Sequence, residues 1–121
     1  MKASELRIGN YVEFNDRINT ISTLCDNEYC KIKGEYGGET VSAVKTEFIS
    51  EIELTEEILL KFGAKKINPK VGVSSCYVIA GLKFDVSYDG NVYHAQSKKF
   101  IPYVHKLQNF VYELKNIELT F

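Results

Sequence analysis

The chain has 121 residues, 45% of them hydrophobic and 26% charged, with two prolines and no low-complexity tract. That balance excludes a disordered or fibrous protein and fits one globular domain, residues 1–121, with a buried core. Fifteen basic against sixteen acidic residues leave a net charge of −1, which excludes general attraction to nucleic acid or anionic membranes but not a local patch.

No apolar run reaches the roughly 18 to 20 residues that a membrane helix requires. The opening Met1-Lys2-Ala3-Ser4-Glu5 lacks the apolar stretch of a signal peptide. A cytoplasmic protein without membrane partners is expected. The cysteines are Cys25, Cys30 and Cys76. Reduced thiols suit this compartment, and a Cys25–Cys30 pair across a hairpin stays open. With two scattered histidines they offer no zinc-ligand spacing, so no metal and no cofactor is expected.

The first half reads as short strands and tight turns. Leu6 and Ile8 alternate with polar neighbours, and Gly9-Asn10 turns the chain into YVEF. Asn15-Asp16 is a second turn signal, followed by the β-branched run RINTISTLC. Asp26-Asn27 marks a third, and EYCKIK then places Cys30 and Ile32 on one face with Tyr29 and Lys31 on the other. The glycine-rich GEYGGET reads as a loop, after which VSAVKTEFI resumes as strand. Strands this short predict a bent antiparallel sheet or SH3-like barrel over residues 1–50.

Residues 51–121 carry a different pattern. Thr55 is a good N-cap, Glu56 and Glu57 place negative charge in the first turn, and Gly63 fits a left-handed stop. A short helix over Glu56–Phe62 follows, gripping a sheet through Ile58, Leu59 and Phe62. Beyond it, SSCYVIAGLKFDVSYDGNVYHAQ returns to strand chemistry, with a hairpin at Asp89-Gly90 and a break at Gly81.

Pro102 is expected to open the last helix. At about 100° per residue, Tyr103, Val104, Leu107, Phe110, Val111 and Leu114 form one core-facing arc about 120° wide. His105, Gln108, Asn109 and Tyr112 form a polar stripe beside it. Ile117, Leu119 and Phe121 alternate in a terminal strand or tail docked on the sheet. Strand runs separated by single helices indicate an α+β fold.

Three blocks, LRIGNYV, ELTEEILLKFG and YVHKLQNFVYELKNIELTF, together resemble a family of small proteins common in Bacteroidetes genomes, prophages and phages. They span nearly the whole chain in the family's order. The resemblance carries no activity with it. It implies a phage or mobile-element setting in a bacterial host, and it nominates His105, Gln108 and Asn109 as part of a motif.

Chemistry finds little support. His94 and His105 are the usual bases, yet neither sits in a nucleophile-elbow or Cys-His signature. GEYGGET leads into a strand and lacks a P-loop lysine. A non-enzymatic binding protein is therefore expected, with a protein partner favoured because eight tyrosines and seven phenylalanines supply aromatic surface. Two alternatives remain. Lys98, Lys99, Tyr103, His105 and Lys106 set cations beside aromatics, which stacking plus phosphate contact could use. The stripe His105, Gln108 and Tyr112 could instead line a pocket for a small molecule or nucleotide. The oligomeric state is left open.

Overall fold

The computed structural model describes residues 1–24, 28–34 and 41–121. The Asp26-Asn27 turn, Cys25 and most of the GEYGGET segment lie outside these. The fold is α+β, built on two antiparallel four-stranded sheets in two compact units, Met1–Ile52 and Glu53–Phe121.

In the first unit, β1 (Tyr11–Phe14), β2 (Arg17–Leu24), β3 (Tyr29–Gly34) and β4 (Val41–Lys45) form a meander in sequence order. Asn15 and Asp16, with φ of 51° and 60°, make the two-residue turn joining β1 to β2. Both residue types tolerate this conformation through short polar side chains. Cys30 and Ile32 face inward while Tyr29 and Lys31 face out, as the alternation predicts. They join Leu6, Val12, Ile21 and Ile49 in one apolar cluster.

The predicted strand VSAVKTEFI ends at Lys45, because the chain winds into a 3-10 turn at Thr46–Phe48. It then returns to β1, where Glu13 and Ser50 exchange backbone hydrogen bonds of 2.8 and 2.9 Å. A single bridge does not close a barrel, and the sheet is open.

The second unit begins with α1 (Glu56–Lys61), capped by the Thr55 side chain, which accepts from Ile58 N at 3.4 Å. Gly63, at φ 87°, ends it. There follow β5 (Lys65–Ile67), β6 (Ser75–Ile79), β7 (Leu82–Val86) and β8 (Val92–His94), again paired in sequence order. The three-residue β5 was not predicted, since Lys65 and Lys66 are exposed and leave no alternation to read.

The break expected at Gly81 is a hairpin turn between two strands. Ala80 and Gly81, at φ 51° and 78°, turn β6 directly into β7, pairing Ile79 with Leu82. An alanine there is strained by its Cβ, whereas asparagine before glycine suits this turn. Ala80→Asn should stabilise the protein by about 0.5 to 1 kcal/mol, read as a rise in urea midpoint with unchanged slope.

Tyr77, buried on β6, donates to Glu56 Oε2 at 2.6 Å, and Ser75 Oγ donates to Oε1 at 3.4 Å. Glu56 therefore ties α1 to the sheet in addition to serving the helix dipole. The hydrogen bond to Glu56, then burial, raise the Tyr77 phenol above its ordinary 10.0. On the neighbouring residue, burial and then the hydrogen bond to Asp85 raise the Cys76 thiol above 9.0.

Both acids hold their protons more tightly when folded, so their contribution is complete below about pH 9 and is lost as pH rises through the raised values. Tyr77→Phe should cost about 1.5 to 3 kcal/mol at pH 7, as expected for a hydrogen bond to a charged group. It should also flatten the alkaline decline when urea unfolding at pH 7 is compared with that at pH 10.5.

The last helix, α2 (Val104–Lys115), starts later than Pro102. Pro102 lies in extended chain before the N-cap Tyr103, and its carbonyl accepts from Leu54 N at 2.9 Å. Glu53 and Tyr103 bridge at the same place. Asn116, at φ 55°, closes the helix in the left-handed conformation. The tail beyond is not a strand: Leu119 is buried, its carbonyl accepts from Gln108 Nε2 at 3.1 Å, and Phe121 packs on Phe62 at 4.7 Å. No helix among the described residues is long and apolar enough to cross a membrane.

Candidate functional site

The site follows from how α2 is rolled. Its buried residues are Val104, His105, Leu107, Gln108 and Val111, whose mean direction lies roughly 70° round the helix from the centre of the predicted apolar arc. His105 and Gln108 of the polar stripe have turned inward and one apolar edge outward. Gln108 accepts this burial because its amide donates to the Leu119 carbonyl. A buried amide with its partner in place costs little. On the opposite edge Phe110 is half-buried and Leu114 is 53% exposed, which corrects the assignment of Leu114 to the core.

That outward edge faces the end of the sheet. Phe110 lies edge-on to Phe84 at 6.2 Å and against the His94 ring at 4.8 Å. After His94 the chain makes a closed turn: Lys98 N donates to the His94 carbonyl and His94 N to that of Lys99, both at 2.8 Å. Lys98 sits in this turn at φ 63°. Ser97 N–H points at His94 Nδ1 at 3.3 Å, and Ser97 Oγ lies 2.7 Å from the same nitrogen. Nδ1 is thus placed to accept from the Ser97 N–H, which fixes the ring's orientation in the turn.

Between the turn and α2 lies an open groove of about 610 Å³. Leu82, Phe110 and Leu114 give its apolar surface, and His94, Gln96, Ser97, Lys99 and Lys115 its polar one. Lys99 Nζ stands 5.4 Å from the Phe110 ring centroid. Lys115 Nζ reaches toward Gly81 at the β6–β7 turn, 3.9 Å from where a Cβ there would stand. The two cations thus stand by different parts of the lining, Lys99 by Phe110 and Lys115 by the β6–β7 turn.

Among the residues nominated from sequence, only Lys99 lines this groove. Lys98 is exposed in the adjoining turn, and Lys106 is exposed one helical turn before Phe110. Tyr103 is half-buried and stacks on His105 at 6.0 Å with planes 7° apart. His105 is 1% exposed and Gln108 0%, so both belong to the interior. Asn109 is half-buried, and Tyr112 is exposed on the stripe side. The eight do not form one surface.

Elsewhere, burial and then the hydrogen bond to Asp85 push the Cys76 thiol upward, away from the low values of reactive thiolates. No family model, no curated protein and no solved structure matches the chain.

Proposed function

We propose that the chain is a non-enzymatic accessory module that binds a protein partner through the groove between α2 and the His94–Lys99 turn. The observation that carries this reading is the roll of α2, which buries His105 and Gln108 while leaving Phe110 and Leu114 at the mouth of an open groove. Exposed apolar side chains rimmed by polar ones mark interaction sites. The phage or mobile-element setting, in the cytoplasm of a bacterial host, rests on the three sequence blocks. An SH3-like layout for the first unit is supported by the return of Ser50 to β1 after the 3-10 turn.

Crosslinking from the full chain in host extract, followed by mass spectrometry, tests the reading. One protein should be captured by the wild type and lost with Leu114→Asp, whose melting temperature stays unchanged because Leu114 faces solvent. Capture that persists in this variant moves the interface elsewhere. A groove of this volume also admits a small molecule, and a mass adduct on native protein would favour sequestration.

A further inference from the structure

We infer that the groove's occupant is an extended protein segment in which apolar side chains are flanked on both sides by carboxylates. This rests on the groove being the binding surface. The apolar part is formed by Leu82, Phe110 and Leu114, with Lys99 Nζ over the Phe110 ring and Lys115 Nζ near Gly81 of the β6–β7 turn. Lys99 is placed by the closed turn after β8, and Lys115 lies at the end of α2 beside the β6–β7 hairpin.

Phe110 and Leu114 are successive residues of one helical stripe. Lys115 follows five residues after Phe110, a rise of about 7.5 Å. An extended segment covers that length with two to three residues, at about 3.3 Å each. An occupant lying along this stripe would thus set a short apolar stretch between carboxylates directed at Lys99 and Lys115.

Among the described residues neither Lys99 nor Lys115 forms an ion pair with a carboxylate, and Lys99 instead lies over the Phe110 ring. A carboxylate arriving there meets a cation already held over an aromatic face, and pairs with it at an exposed edge where the attraction weakens with salt. The His94 ring and the Gln96 amide add polar groups to the same wall. Nucleic acid fits less well. A base needs an open aromatic platform, whereas Phe110 is covered on one side by Lys99 and contacted by His94 and Phe84.

The test is a fluorescence-anisotropy titration of the full chain at low salt. The probe is a labelled, end-capped peptide in which two leucines are flanked on each side by two glutamates. It should bind at least ten-fold tighter than peptides with glutamine or lysine in place of glutamate, or serine in place of leucine. Lys99→Glu combined with Lys115→Glu should lose at least ten-fold for the acidic peptide and gain affinity for the lysine-flanked one. Both side chains are exposed, and an unchanged melting curve verifies the fold.

Equal binding of the glutamine peptide, an unaltered preference in the double variant, or tighter binding of single-stranded DNA would overturn the inference. If peptides fail while Leu114→Asp still abolishes partner capture, the ligand chemistry falls and the binding-module reading stands. If both fail, both fall.

Discussion

Phe84→Ala is expected to cost about 3 to 5 kcal/mol, the range for removing a fully buried aromatic ring. Phe84 is 0% exposed at the centre of β7, and its ring meets His94 at 5.7 Å and Phe110 at 6.2 Å. One substitution would therefore remove packing from the sheet, the histidine turn and α2 together. The groove should suffer along with stability, since Phe110 and His94 both rest on this ring. The chain has no tryptophan, so far-UV circular dichroism in a urea titration is the suitable readout. A change under about 1 kcal/mol would mean that α2 does not depend on this face.

Leu107→Ala should cost about 2 to 5 kcal/mol, whereas Leu114→Ala should change stability by no more than about 0.5 kcal/mol. The helical wheel puts both leucines in one arc, yet Leu107 is 0% and Leu114 53% exposed. The contrast tests the roll of α2 directly. Equal losses would return Leu114 to the core and remove the apolar edge on which the groove depends. Paired urea titrations of the two variants measure it.

These residues also show how far a sequence can be read. Period-two alternation in YCKIKG located β3 and its buried face correctly, because one side of that strand meets a core and the other meets solvent. Thr55 and Gly63 likewise bounded α1 to within a residue, since capping is local chemistry. The groove was not legible. Its residues come from the start of β7, the turn after β8 and the last turns of α2, and no local pattern links Leu82 to Lys99 or Lys115.

The polar stripe misled for a related reason. Whether a glutamine faces water depends on whether an acceptor waits inside, and the acceptor for Gln108 is a carbonyl eleven positions away in the tail. Charge order hid the groove's cations as well. Lys98 and Lys99 are neighbours in sequence, yet only the second lines the groove.

The division into two units has a consequence for the order of synthesis. Every partner named for the first sheet, from Met1 to Ser50, leaves the ribosome before the first residue of the second unit. The second sheet has no such advantage. Its inner face, with Phe84 at the centre, waits for α2, which ends at Lys115, while β8 ends at His94. At about 5 to 20 residues per second, those 21 residues take about 1 to 4 s. The strands of the second sheet are therefore all in the chain before the helix that covers Phe84 is made, so this unit finishes packing last.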